Sequence, residues 1–336
     1  MSLSSAFHQQ CEQIIQDLRL GSASQIEAIE ALPGGVSSDI ARVRINGRQI
    51  CIKCALPQLK VAATWTAPLN RNLAEYQWLQ FVAGLAPNAV PELLGHSTQA
   101  GGFAMGYLSE SSAANYKRSL LAGEPDNGVA AKVAQILGLV HAESTRPGFD
   151  RNRFSHADNF YSLRIEPYLI HMVGLYPEIA DTLNRISQRL HEARIALVHG
   201  DVSPKNLLIR STGPVFLDAE CASFGDPAFD VSFFLNHLII KAVHMPVQRA
   251  MLLEAARSFW DVYQQLICWE PPEQFAGRVS ELLPALMLAR IDGKSPAEYL
   301  NETQREKIRR NCLEIIQAPA LPVDKLFVAL TSRDKD

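Results

Sequence analysis

Cysteine is thinly spread, six in 336 residues, too few for a disulfide scaffold. Free thiols in a reducing compartment are the expectation. Cys51-Ile52-Lys53-Cys54 has the C-x-x-C form. No second ligand pair accompanies it, however, and alternation along a strand sends the two thiols to opposite faces, which argues against zinc or redox use. No stretch stays apolar for the length of a membrane span, and the first residues show no basic start followed by an apolar run. A cytoplasmic chain with no membrane partner is expected. Positive charge is not in excess: 32 Lys and Arg against 35 Asp and Glu give a net charge of -3, which is no footprint for nucleic acid. Internal repeats, low-complexity tracts and a G-x-G-x-x-G loop are also missing.

What is present suffices for two cores, with 47% of residues hydrophobic and 20% charged. Residues 6–20 place Phe7, Cys11, Ile14, Ile15 and Leu18 on one helical face. Asn46-Gly47 between two alternating apolar runs predicts a tight hairpin, because both residues tolerate positive φ. A helix is predicted over 69–83, and the apolar run Gly102–Leu108 passes into Ser109-Glu110-Ser111-Ser112, a change of composition that marks a hinge. The fold class expected is α+β: a small β-rich lobe with one main helix over 1–108, and a larger, mostly helical lobe over 109–336. Helical spacing opens the second lobe at Val129, Val133, Ile136, Leu137 and Val140, and recurs over 229–243, 249–267, 278–291 and 303–317.

The most informative stretch is 198–230, where Asp201 and Asn206 sit five apart and Asp218 follows the apolar run Val215-Phe216-Leu217. Phosphoryl transfer needs a carboxylate to orient the attacking hydroxyl and hard oxygens to hold magnesium against phosphates. Asp201 is the candidate catalytic carboxylate, against the plainer reading of a turn-capping aspartate. Asn206 and Asp218 are candidate metal ligands, set side by side if the segment Arg210-Ser211-Thr212-Gly213-Pro214 closes a hairpin. Glu220 is a further candidate metal ligand, or else an exposed loop glutamate. Lys53 shares its strand face with the small residues Cys51 and Ala55, leaving room for a purine beside an ammonium that reaches phosphates, and Glu75 on the next helix is its counter-ion. Gly34, Gly35, Ser37 and Ser38 form a turn ahead of Lys53 whose N–H groups and hydroxyls suit phosphate. His199, Asp226 and Asp230 read as scaffolding for the loop. In Tyr161–Tyr168, Arg164, Glu166 and Tyr168 are candidates for substrate specificity, although simple packing at the start of a helix explains them equally well.

His199-Gly200-Asp201 with Asn206, Asp218-x-Glu220, and Gly225-Asp226-Pro227 with Asp230 resemble the signature of the aminoglycoside phosphotransferase and choline kinase superfamily, of protein-kinase-like fold. The likeness extends over Gly34-Gly35, Lys53, Glu75, the Met105-Gly106-Tyr107 hinge and Gly293-Lys294-Ser295-Pro296. It implies ATP held between the lobes, with GTP left open, Mg2+, and a small hydroxyl-bearing substrate against the larger lobe. Met105 and Tyr107 would border the nucleotide. Where protein kinases carry a lysine two residues after the catalytic aspartate this chain has Ser203, with Lys205 offset, which points to a small-molecule kinase. The branch is open between antibiotic kinases and choline or methylthioribose kinases, because residues 151–194 are near neutrality and 249–300 tilt only slightly acidic. Two other classes compete: a nucleotide-binding module without turnover, and a metal-dependent hydrolase, which would give Lys53 no job.

Overall fold

A computed structural model describes residues 4–33, 37–56 and 68–332; Gly34 and Gly35 lie outside them. The chain opens with α1 (Ser5–Asp17), capped by Ser4, whose Oγ accepts from the Phe7 N–H at 3.2 Å. Five antiparallel strands follow: β1 (Ile26–Ala31), β2 (Ser38–Ile45), β3 (Arg48–Ala55), β4 (Leu93–Ser97) and β5 (Gly102–Gly106), in the order β1-β2-β3-β5-β4. Ile45 pairs with Arg48 across Asn46 and Gly47, whose φ values of 51° and 70° make the two-residue turn the sequence predicts.

The alternation of β3 divides the core. Ile50, Ile52 and Cys54 meet Phe7, Cys11, Ile14 and Ile15 of α1, so the apolar stripe of that helix covers the outer face of the sheet. Cys51 joins Phe103, Met105 and Trp78, Leu79 and Val82 of α2 (Arg71–Leu85) on the inner face. That helix lies two residues later than the apolar spacing predicts.

The inner core runs on into the helical half. Its elements are β6 (Ala114–Asn115), α3 (Tyr116–Leu121), α4 (Val129–Ser144), α5 (Ala157–Phe160), a π-helical segment Tyr161–Ile170, α6 (His171–Val173) and α7 (Ala180–Glu192). Then come β7 (Ala196–Val198), β8 (Leu207–Arg210), β9 (Gly213–Phe216), β10 (Ser223–Gly225), α8 (Ala228–His244), α9 (Arg249–Gln264), α10 (Pro272–Asp292), α11 (Glu302–Gln317) and α12 (Val323–Thr331). Almost every residue of α8 is buried. Strand β10 pairs with β7, and a second small sheet has the order β6-β8-β9.

The β8–β9 connection is tighter than composition suggests. Arg210 pairs with Gly213, leaving only Ser211 and Thr212 in the turn. Pro214 is accommodated inside β9 because that strand lies at a sheet edge, where a missing N–H costs no ladder bond. All six cysteines are free thiols. Among the described residues no helix is long and apolar enough to cross a membrane.

Candidate active site

Two loops of the helical half are pinned by buried polar groups. Asp230, at the start of α8, accepts from the N–H groups of His199 (2.7 Å) and Gly200 (2.8 Å) and lies 3.3 Å from His141 Nε2. Gly200 has φ +77°, and a Cβ there would stand 2.6 Å from Cys221 Cβ and 2.8 Å from the Cys221 carbonyl. Only glycine fits between His199 and Asp201. The N–H of Asp201 donates to His199 Nδ1 at 3.1 Å, so Nε2 carries the proton it donates to the Leu217 carbonyl at 3.2 Å. With both nitrogens engaged and burial lowering its pKa, His199 is a neutral brace and not a proton carrier. The Trp78 ring meets it edge-on, centroids 4.6 Å apart. Asp226 is also structural, pairing with Arg278 at 2.8 Å and accepting from the Ala228 N–H.

Asp201 and Asn206 share one turn: Asn206 Nδ2 donates to the Asp201 carbonyl at 3.1 Å. The Leu217 N–H donates to the Asn206 carbonyl at 2.9 Å, which brings Asn206 beside the strand end that carries Asp218. Asp218 itself has φ 67°, a left-handed conformation that aspartate tolerates better than most residues. Its N–H donates to Glu75 Oε1 at 3.0 Å.

Lys53 crosses from the sheet to meet this loop. Its Nζ lies 2.6 Å from Glu75 Oε2, 2.5 Å from Asp218 Oδ1 and 3.1 Å from Glu220 Oε1, with the side chain only 4% exposed. Burial disfavours the ammonium, but Asp218, Glu220 and Glu75 outweigh it and raise its pKa well above the ordinary value. Burial pushes Glu75 up to about 8 against the pull of Lys53. Asp218 goes the other way: Lys53 and then Lys205 overcome burial and hold it far below the usual range. One oxygen from each of Glu75, Asp218 and Glu220 lies within 4.8 Å of the others.

Glu220 is buried, not an exposed loop glutamate. It accepts from Ser38 Oγ at 2.5 Å and from Arg71 Nε at 3.1 Å, so the Ser38 hydroxyl faces a carboxylate where the sequence suggested a phosphate. Ser37 contributes its backbone carbonyl, which accepts from the Leu56 N–H at 2.9 Å and from Arg71. Arg71 is fully buried and also donates to the carbonyls of Leu56 (2.5 Å) and Pro68 (2.9 Å). The sequence reading missed it, though its position four residues before Glu75 places both on one face of α2. Met105 is buried and pairs with Cys51 on the Lys53 face, while Tyr107, just past β5, is half-buried under Arg42 at 5.4 Å.

Asp201 has two cations. Arg164 Nη2 lies 2.8 Å from its Oδ2 and Lys205 Nζ 3.5 Å. The guanidinium also donates to the carbonyls of Gly200 (2.5 Å) and Leu163 (2.6 Å). Arg164 therefore holds the loop through two groups, the Asp201 carboxylate and the Gly200 carbonyl, and Lys205 brings a second cation to Asp201. Glu166 is held by Lys294 at 2.6 Å, and Tyr168 packs on Phe233.

The model of the phosphotransferase enzyme family, APH, matches residues 28–266. No curated protein sequence matches the chain. Among solved structures, the amicoumacin kinase hAmiN, in complex with AMP-PNP, Ca2+ and Ami, has a TM-score of 0.56 at 13% identity, covering 96% of this chain and 98% of its own. Choline kinase LicA from Streptococcus pneumoniae has a TM-score of 0.53 at 15% identity, covering 93% and 99%. An ethanolamine kinase of Plasmodium vivax has 0.52 at 10% identity, covering 98% and 87%. These likenesses establish the bilobal, protein-kinase-like fold, and with the matched span they lead to one conclusion: the chain belongs to the phosphotransferase enzyme family and is a small-molecule kinase.

Proposed function

We propose that the protein is an ATP- and magnesium-dependent kinase that moves the γ-phosphate to a hydroxyl of a small molecule. The nucleotide would sit between a lobe formed by residues 1–108 and one formed by 109–336. What carries the reading is the meeting of Lys53 with Glu75, Asp218 and Glu220, beside a loop that presents Asp201 and Asn206. A hydrolase would have no use for that lysine.

The donor set fits a hard divalent cation. Glu75, Asp218 and Glu220 each bring a carboxylate oxygen within 4.8 Å of the others, hard donors gathered on one side of Lys53. The amide nitrogen of Asn206 is taken by Asp201, so its oxygen is the atom available to a metal. Asn206, Asp218 and Glu220 would hold Mg2+, which when bound supplies charge neutralisation across the phosphates. Lys53, kept charged by its acids, would contact the phosphates, with Glu75 fixing it. Met105, Tyr107, Gly34, Gly35, Ser37 and Ser38 would border the nucleotide.

Asp201 would orient the acceptor hydroxyl with the carboxylate oxygen that Arg164 leaves free. As the hydroxyl oxygen forms its bond to the γ-phosphorus, the bond to the β–γ bridging oxygen breaks, ADP departs with that electron pair, and Asp201 takes the hydroxyl proton.

The test is magnesium-dependent ATP turnover, with and without hydroxyl acceptors. Asp201→Ala and Asp218→Ala are each expected to lower it by about 10²- to 10⁴-fold. Full activity in both variants ends the proposal, and stabilisation by magnesium-ATP without turnover on any acceptor would identify a binding module instead.

A further inference from the structure

Beyond Asp201 the helical lobe gathers basic side chains on α3, α8 and α10, of which Lys241 and Arg290 have no carboxylate partner among the described residues. Lys241 of α8 is 1% exposed, a burial that lysine almost never adopts unpaired. Its Nζ has only the His237 carbonyl at 3.3 Å and the face of the Tyr299 ring at 5.4 Å. Among the described residues no carboxylate lies within ion-pair distance of it.

Arg290 of α10 is in the same position. Its Nη1 donates to the carbonyl and Oγ of Ser295, no carboxylate reaches it among the described residues, and its Nε is buried with no partner. Lys117 of α3 has only the rim residue Glu298, 3.9 Å away and 83% exposed. His237 sits among these groups: burial lowers its pKa, and Lys241, Arg290, Lys205 and Lys117 lower it further. The patch connects to the catalytic loop through Lys205, which reaches Asp201, and through Phe233, which packs between Arg164 and His237. Arg164 and Lys294 do not add to the free charge, since Asp201 and Glu166 take them.

A polycationic antibiotic or a quaternary amine would meet repulsion here. Resting on the kinase reading, we infer that the acceptor is an anionic hydroxyl compound, its carboxylate or phosphate group held by Lys241, Arg290 and Lys117 while its hydroxyl points at Asp201. Lys241 has no counter-ion of its own among the described residues, and the acceptor would bring one.

The experiment pairs small alcohols that differ in charge: glycerate, glycerol 3-phosphate, glycerol, ethanolamine and gentamicin, each tested for phosphorylation by magnesium-ATP and for thermal stabilisation of the full chain. Glycerate or glycerol 3-phosphate is expected to exceed ethanolamine and gentamicin at least tenfold in kcat/KM, and which of the two leads separates a carboxylate from a phosphate. Lys241→Met is expected to raise the KM for that anion more than tenfold. Its melting temperature should not fall, because it removes an unpaired buried charge, so the loss cannot be put down to misfolding. Equal or better use of ethanolamine or gentamicin, no response to either anion, or an unchanged KM in Lys241→Met overturns the inference. The kinase reading is scored separately, on magnesium-dependent ATP hydrolysis by the wild-type protein.

Discussion

Arg71 shows how much a single side chain can hold in this site. Its guanidinium ties the Ser37 and Leu56 carbonyls, the Pro68 carbonyl and the carboxylate of Glu220 into one buried cluster. Removing one partner of a buried ion pair leaves the other charge uncompensated. Arg71→Met is therefore expected to lower unfolding stability by about 3–5 kcal/mol, read by urea denaturation, and a loss under about 1 kcal/mol would show that Glu220 does not depend on it. At this scale the sequence was legible wherever chemistry demands a residue type at a fixed spacing. The meeting of Lys53 with Glu75 and Asp218, and the shared turn of Asp201 and Asn206, could be anticipated because a hard-oxygen set and a lysine have few other reasons to coexist. Arg71 and Lys241 could not, because an arginine or lysine on a helix usually faces water, and only three-dimensional packing reveals one that does not.

At the scale of elements, periodicity told which face of a segment is apolar but not what that face would meet. The stripe of Phe7, Cys11, Ile14 and Ile15 predicted an amphipathic helix, and the structure lays it on Ile50, Ile52 and Cys54. The π-helical segment Tyr161–Ile170 had no such signature, since its apolar residues also suit an ordinary helix. It carries Arg164, whose planar fork serves Gly200, Leu163 and Asp201 together. A lysine has one nitrogen and cannot replace that geometry. Arg164→Lys is expected to lower kcat about a hundredfold through misplacement of Asp201, with the KM for ATP unchanged because Lys53 and Asp218 are untouched. Steady-state kinetics varying ATP and acceptor in turn check it, and a retained kcat would reduce Arg164 to packing. The helix α12 escaped the sequence reading altogether, since its nine residues are too short for a clear period.

For the molecule as a whole, the unpaired charge of Lys241 has a consequence for stability as a function of pH. Burial first, then Lys117 of α3 and Arg290 of α10, push its pKa down to about 7, whereas in the unfolded chain it titrates near the ordinary lysine value of about 10.4. Its other charged or titratable neighbours are His237 on its own helix and Tyr299, whose ring it faces. Below about pH 7 both states carry the proton and the folded protein bears the full cost of a buried ammonium. Between about pH 7 and pH 10 the unfolded chain binds more protons than the folded one, so this contribution to stability rises with pH. In Lys241→Met the charge is absent, and its advantage in melting temperature over the wild type should be largest below pH 7 and shrink steadily toward pH 10. Comparing the two proteins at each pH cancels the titrating groups that Lys241 does not reach, and His237, which it does, titrates below the window from pH 7 to pH 10. A constant difference across that range would mean that the ammonium already has a counter-ion. Inorganic phosphate at pH 6.5 should narrow the gap, because an anion stabilises the protein that still carries the Lys241 charge more than the variant, which keeps only Arg290 and Lys117.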